Sequence, residues 1–198
     1  HRVISRNDQG ITVLLVAGAK DVVDEYISVA DLAGITVAAV EPVTFSRVRL
    51  VDPGQLANKT VLLTNLYAGQ LAINILVDGR LWFSREIKMS EYDSTAIIQA
   101  VKELIKFFDE RKAVAAASIS QIIYSGDRSG AAVLLAALSG LKLPLDLAKP
   151  GWQLTESKVI SEVKRIGLAP VLGLAMAGRL EEQELFNLMP DWPKQKNK

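Results

Sequence analysis

The order of the apolar segments after residue 59 restricts the fold of this chain more than any other feature. Three apolar runs lie close together at residues 60–66, 71–77 and 81–89, and Asp78-Gly79 between the last two is typical of a two-residue hairpin turn. Short apolar runs bounded by turn signals favour strands. We therefore predict three consecutive antiparallel strands.

Helix and strand signals alternate after this hairpin. Residues 93–111 carry apolar side chains with the period of an amphipathic helix, and Asp93 stands at its N-cap. An apolar run at 119–124, a small apolar helix at 131–138 and a short run at 143–147 follow. The predicted order, β-β-β-α-β-α-β, is that of a ribonuclease-H-like α/β lobe. Actin-type ATPases contain two such lobes, with nucleotide between them.

The first 58 residues are predicted to form part of another lobe. Residues 11–17 have the pattern of a buried strand, residues 21–33 that of a helix, and residues 35–40 that of a second strand. We predict a parallel βαβ unit, because crossover connections of this kind join parallel strands. The chain begins at His1 rather than at Met, so we expect a piece of a longer protein with the rest of this lobe upstream.

Composition excludes several classes of function. The formal net charge is +1, which is too small for the basic surface of a nucleic-acid-binding protein. The absence of cysteine excludes disulfides, thiolate zinc sites and cysteine nucleophiles. With His1 as the only histidine, histidine-based triads and HExxH sites are excluded too, and we expect no metal site. The longest stretch of apolar and small residues, 168–178, is too short to span a bilayer.

Three segments, taken in order, carry a family resemblance. They are residues 14–41 (LLVAGAKDVVDEYISVADLAGITVAAVE), 75–87 (ILVDGRLWFSREI) and 168–178 (LAPVLGLAMAG). Together they resemble the PilM family, the actin-like (FtsA-like) cytoplasmic proteins of type IV pilus assembly, and the related cytoplasmic domain of the GspL secretion proteins. The resemblance extends over nearly the whole chain but over only the later half or so of a typical family member.

The resemblance implies a fold, a domain organisation and a role. We expect an actin-like α/β fold with a partial first lobe at residues 1–58, a complete second lobe at 59–182 and a juxtamembrane tail at 183–198. The implied role is that of a cytoplasmic scaffold at the inner-membrane face, in a type IV pilus or a type II secretion-like machine. An actin-like ATPase with nucleotide between two lobes is the alternative. Self-association into filaments, as in other actin homologues, is a further one.

Nucleotide-binding loops of actin-like ATPases have counterparts here that depart from the pattern. The second phosphate loop reads Asp-x-Gly-x-x-x-Thr in that superfamily, whereas residues 65–70 read Asn-Leu-Tyr-Ala-Gly-Gln and lack the carboxylate. The adenosine loop, normally a Gly-Gly pair, reads Ser-Gly-Asp-Arg-Ser-Gly at residues 125–130. The sequence of each loop is also typical of an ordinary turn that binds no nucleotide. We expect no enzymatic activity and no cofactor, with ATP and Mg²⁺ bound only if the upstream lobe is present. The candidate nucleotide-binding residues are Asn65, Gly69, Gln70, Gly126, Asp127 and Gly130.

A short segment near the C-terminus resembles part of a partner protein. Residues 186–190, Phe-Asn-Leu-Met-Pro, are similar to the "INLLP" segment that opens PilN, the membrane partner of PilM. In the family that segment inserts into a cleft of PilM just before a transmembrane helix. Its position here implies a PilM–PilN fusion. The partner is then a PilN-type inner-membrane protein or the chain's own membrane segment, besides other pilus or secretion assembly proteins.

Each residue of this segment has an expected role in docking. Leu188 and Met189 would be apolar anchors, Asn187 would bond to backbone, and Pro190 would keep the segment extended at low entropic cost. Phe186 opens the segment. The alternative is that these residues are only the last turn of a helix.

Overall fold

The computed structural model of this chain describes residues 1–8, 10–67, 69–89, 93–111, 118–126, 128–151, 169–177 and 186–189. The strands are β1 Arg2–Asn7, β2 Gly10–Leu14, β3 Thr60–Tyr67, β4 Gln70–Val77, β5 Arg80–Lys88, β6 Gln121–Tyr124 and β7 Leu145–Leu147. The helices are α1 Lys20–Leu32, α2 Val43–Arg49, α3 Pro53–Leu56, α4 Ser94–Arg111, α5 Arg128–Leu138 and α6 Ala169–Ala177, with a short 3₁₀ turn at Ser139–Leu141.

A five-stranded mixed sheet forms the centre of the fold, in the order β5-β4-β3-β6-β7. Strands β3, β4 and β5 pair antiparallel with one another, whereas β6 and β7 extend the sheet in parallel from the other side of β3. The predicted order β-β-β-α-β-α-β and the ribonuclease-H-like fold class are therefore confirmed. Strand β3 is central, and its residues 60–66 are all buried, as expected of a strand covered on both faces.

Helices cover both faces of this sheet. Alternation along β3 directs Leu62 and Leu66 into a core with α4 and α5, while Val61 and Leu63 lie in a second core with α2 and α3. Helix α4 begins where the sequence predicts, because Asp93 accepts a hydrogen bond from the backbone N–H of Thr95 at 2.8 Å. Its buried face repeats at intervals of three and four residues: Ile97, Val101, Leu104 and Phe108.

The predicted parallel βαβ unit in the first 58 residues is wrong. Strand β2 pairs antiparallel with β1, which lies in a stretch whose sequence is polar and has no strand pattern. Residues 35–40 are not part of any sheet among the described residues. Because β2 is largely exposed, it is not the doubly covered strand that a parallel unit requires. Helix α1 is confirmed, and Gly34 follows it with the positive φ of +71° that a helix end favours.

Exposed apolar side chains concentrate in the first 35 residues. They lie on the β1–β2 hairpin, on α1 and on the segments that flank α1: Val3, Ile11, Val13, Leu15, Val22, Tyr26, Val29, Leu32 and Ile35. Because so many exposed apolar side chains in one stretch are uncommon, we expect this stretch to pack against a further element. The domain limits that we predict for this region, and the upstream remainder of the first lobe, stay predictions.

Candidate functional site

A groove near the N-terminus holds residues 186–189 of the same chain. We call these four residues the FNLM segment. The N-terminal groove is formed by Arg2 of β1, Gly18 before α1, Val23 of α1, Val40 of the extended stretch before α2, and Phe45 of α2. The hydrogen bonds between Val40 and this segment join residues almost 150 positions apart in sequence.

Main-chain hydrogen bonds join the FNLM segment to Val40. The backbone N–H of Leu188 donates to the Val40 carbonyl at 2.8 Å. The N–H of Val40 donates in return to the Asn187 side-chain oxygen at 3.1 Å, and Met189 N–H donates to that same oxygen at 3.1 Å. The asparagine side chain therefore takes the place of a strand carbonyl. Both backbone polar groups of Val40 are bonded although no strand of the described residues lies beside it.

Two side chains of the segment enter the groove. The ring of Phe186 is 7% exposed and stacks on Phe45, with 4.3 Å between ring centroids and 17° between ring planes. Leu188 lies over Gly18, and its Cδ1 is 3.2 Å from the point that a Cβ at Gly18 would occupy. Val23 approaches the same point to 3.7 Å. Glycine at position 18 thus leaves the space that the leucine side chain fills.

A buried ion pair holds the edge of the groove next to Val40. Arg49 donates to both carboxylate oxygens of Glu41, at 2.8 and 3.0 Å, and Ser46 Oγ donates to the same carboxylate at 2.8 Å. The side chain of Glu41 is only 2% exposed, and that of Arg49 is 12% exposed. Arg49 also donates to the carbonyl of Gly173 in α6 at 2.6 Å. This one guanidinium therefore connects the edge of the groove to α2 and α6.

Helix α2, which carries Phe45, is also fixed to the edge of the central sheet. The hydroxyls of Thr44 and Ser84 lie 3.2 Å apart, and Arg47 donates to Glu86 at 3.0 Å. Both partners of α2 here belong to β5. The aromatic wall of the groove is thus attached to the rigid part of the fold.

The candidate nucleotide-binding residues lie in two turns at one end of the sheet. Asn65 is 7% exposed, and its side chain donates to the Ser125 carbonyl, so the amide ties the end of β3 to the loop after β6. A Cβ at Gly126 would overlap the Tyr124 hydroxyl and approach the Leu66 carbonyl. These contacts give each residue a structural role in an ordinary turn.

Three of the remaining residues of that set lie in the turn before β4, at the start of β4 and in α5. Gly69 has a φ of +73°, which the turn before β4 requires, and Gln70 is an exposed residue opposite Lys88. Gly130 is buried within α5, and Asp127 lies outside the described residues. Nucleotide binding by these residues stays a prediction.

Replacing Asn65 by aspartate, which restores the acidic residue of the ATPase pattern, is expected to destabilise the protein. The carboxylate cannot donate to the Ser125 carbonyl and would face it at a buried position, at a cost of about 1–3 kcal/mol. Urea unfolding measures the change. Gln70→Glu makes the same chemical change on an exposed side chain at the same turn and is expected to leave stability within about 0.5 kcal/mol. Equal effects of the two substitutions would contradict the structural role of Asn65.

Metal-type clusters and membrane-spanning helices are both absent from the described residues. Across the described ranges, no three histidine, aspartate or glutamate side chains cluster as a metal site would require. No helix within those same ranges is long and apolar enough to cross a membrane.

Comparison with solved structures identifies the fold of this chain. No protein-family model matches the sequence, and no curated protein matches it. Among solved structures, the PilM-PilN type IV pilus biogenesis complex matches with a TM-score of 0.61 and 15% identity, over 80% of this chain and 58% of that one. The ethanolamine utilization protein EutJ from Carboxydothermus hydrogenoformans matches with a TM-score of 0.50 and 9% identity, over 80% and 62%.

The two matched structures show the fold class of this chain, and the first of them shows a nearer resemblance within that class. The chain has the actin-like fold, as the sequence predicts. Within that class its structure is similar to the PilM-PilN complex, so the resemblance found in the sequence is confirmed at the level of fold. The chain spans less than two thirds of the length of either structure.

The residues that form the N-terminal groove could not be identified from the sequence. It singled out Phe186 to Met189 but not Arg2, Gly18 or Phe45, which surround them. One signal was present in the sequence. The apolar run at 35–40, which ends at Glu41-Pro42, is predicted to pair with a strand along one edge only, so its other edge has no predicted partner. Pro190, the last residue of the predicted docking segment, lies outside the described residues.

Proposed function

We propose that this chain is a PilM-type scaffold of a type IV pilus or type II secretion-like machine, which binds an extended PilN-type segment in its N-terminal groove. The observation that carries the proposal is the pair of hydrogen bonds between Val40 and the FNLM segment. By this proposal the scaffold has no enzymatic activity and links motor-side components to an inner-membrane partner at the cytoplasmic face.

The contacts in the groove fit a known mode of peptide recognition. An extended segment that bonds to exposed backbone gains affinity from the main chain, and pockets for alternate side chains give specificity. Here Leu188 supplies the main-chain bond and an apolar anchor, while Asn187 satisfies the Val40 N–H. The same contacts serve a segment carried by this chain, as in a PilM–PilN fusion, or one offered by a separate membrane protein.

The ATPase alternative is less well supported by the residues. Phosphoryl transfer needs a carboxylate placed near metal and nucleophile, and position 65 carries an amide that is already bonded to a backbone carbonyl. Gly126 is required by close packing against Tyr124, which explains that glycine without a ligand. We therefore propose a scaffold without nucleotide turnover.

A peptide-binding measurement on the full chain tests this function. The substitutions Phe186→Ala, Asn187→Ala and Leu188→Asp remove the ring, the side-chain oxygen and the apolar anchor of the FNLM segment, which gives an emptied variant with a vacant groove. A fluorescein-labelled Phe-Asn-Leu-Met-Pro peptide is expected to bind it near micromolar Kd, about 8 kcal/mol, as read by fluorescence anisotropy. The unaltered chain should bind at least tenfold more weakly, because its own segment competes at an effective concentration on the order of millimolar.

Two controls decide between the functions. The peptide Phe-Ala-Leu-Met-Pro lacks the side-chain oxygen that Val40 N–H requires and is expected to bind the emptied variant at least fivefold more weakly, which corresponds to the roughly 1 kcal/mol of one hydrogen bond. Phosphate release from Mg-ATP is measured on the unaltered chain. ATP turnover together with no binding of either peptide would contradict the scaffold and favour the ATPase.

A further inference from the structure

We propose that Arg2 and Phe45 form an aromatic-selective subsite within the N-terminal groove. This subsite determines which residue the groove accepts at the first position of a docked segment, the position of Phe186, and it favours an aromatic side chain over an aliphatic one of equal size. The inference rests on the proposed function, since it concerns the choice among segments that this groove binds.

Two planar groups contact the Phe186 ring. Phe45 stacks on it with the centroids 4.3 Å apart, and the guanidinium carbon of Arg2 lies 4.5 Å from the Phe186 centroid. The ring is 7% exposed, so these contacts are made largely away from water. Among the described residues, no other aromatic side chain has both a stacked ring and an arginine over its face.

The geometry is specific for a π system. The face of an aromatic ring is negative, so it attracts a cation placed over it, and near-parallel rings gain further energy when they stack in an offset arrangement. A leucine or isoleucine at this position would bury apolar area but would have no such face. The two contacts together favour an aromatic ring by an amount that burial of apolar area alone does not supply.

The elements that carry the subsite are held by the fold rather than by the segment. Phe45 packs against the core beneath the sheet, and α2 is bonded to β5 through Thr44 and Arg47. Arg2 lies in β1, where it pairs with Leu14 of β2. The backbone of both walls is therefore positioned by contacts that do not involve the segment, which limits the entropic cost of docking a ring there.

The test uses cyclohexylalanine, which has the size of phenylalanine and no π system. We compare binding of Phe-Asn-Leu-Met-Pro and of the peptide with cyclohexylalanine in first position to the emptied full-length variant. The phenylalanine peptide is expected to bind about tenfold more tightly, given the usual strength of stacking and cation–π contacts. In the emptied variant that also carries Arg2→Gln and Phe45→Leu, the preference should fall below twofold.

Each outcome separates this inference from the function on which it rests. Equal binding of the two peptides to the emptied variant would overturn the aromatic subsite and leave the groove as a peptide site. Binding of neither peptide would overturn the proposed function and the subsite together.

A thermodynamic cycle between Phe186→Leu and Arg2→Gln in the otherwise unaltered chain gives a second test. We expect a coupling of about threefold in the unfolding equilibrium constant. Additive effects of these two substitutions would overturn the subsite.

Discussion

Replacing Gly173 by alanine is expected to lower the free energy of unfolding by about 3 kcal/mol or more, because α6 crosses α2 with the two backbones in direct contact. A Cβ at Gly173 would overlap the carbonyl of Ser46, which is backbone and cannot turn aside as a flexible side chain would. The helices must then separate, and the hydrogen bond from Arg49 to the Gly173 carbonyl would be lost with that contact. Urea unfolding followed by circular dichroism measures the change.

Gly140→Ala is the matched control for this substitution. Gly140 lies in the exposed 3₁₀ turn after α5, a Cβ there meets nothing within 4 Å, and its φ is not in the left-handed region. Its replacement is expected to change stability by less than about 0.5 kcal/mol, or to raise it slightly by restricting the unfolded chain. A Gly173→Ala protein as stable as the Gly140→Ala protein would contradict the described crossing of α6 over α2.

Neutralising the buried carboxylate of Glu41 is expected to destabilise the fold by about 3–5 kcal/mol, the usual effect of leaving one charge of a buried pair without its partner. In Glu41→Gln, the Arg49 guanidinium keeps its charge but loses its two-pronged acceptor. Arg49→Lys should be destabilising too, because an ammonium cannot donate to both carboxylate oxygens and to Gly173 in the same geometry. Chemical unfolding of the variants measures both effects.

The exposed pair between Arg85 and Glu103 is the control. Those side chains are 46% and 52% exposed and lie 3.6 Å apart, so Arg85→Gln is expected to change stability by less than about 1 kcal/mol. The double variant Glu41→Gln with Arg49→Met, which removes both buried charges, should be more stable than Glu41→Gln alone. If the double variant instead loses the sum of the losses of Glu41→Gln alone and Arg49→Met alone, the two side chains are not a coupled pair.

Much of the sheet could be predicted because its signals are local. The Asp78-Gly79 turn, with Asp78 at a φ of +50° and Gly79 at +72°, determines the pairing of β4 with β5. The cap at Asp93 and the apolar period that follows it determine α4. Each of these signals lies within a few residues of the element that it specifies.

Features that depend on distant partners could not be predicted. Simple alternation along β5 predicts Trp82 and Phe83 on opposite faces, yet both pack on the core beside α4, because the register shifts at Ile75/Leu76 opposite them. Residues 35–40 have the composition of a strand, but a strand needs a neighbour, and Val40 bonds instead to residues almost 150 positions away. No window of sequence carries that information.

The candidate site also has one part that the sequence predicts and one part that it does not. The FNLM segment could be identified because its resemblance lies in contiguous residues, including the asparagine that bonds to Val40. The groove could not, because Arg2, Gly18 and Phe45 meet only after β1, α1 and α2 have packed. A lone glycine or arginine has no sequence pattern that indicates such a role.

Amide hydrogen exchange at Val40, followed by NMR in the unaltered chain, tests the central claim that the groove binds the FNLM segment. We expect the Val40 and Leu188 amides both to be protected, and Asn187→Ala to speed exchange at Val40 at least fivefold, for a lost bond of about 1 kcal/mol. Ile122, whose N–H donates to Pro144 in the central sheet, should keep its exchange rate. A Val40 amide that exchanges as fast as an unprotected one, with no response to Asn187→Ala, would contradict the claim.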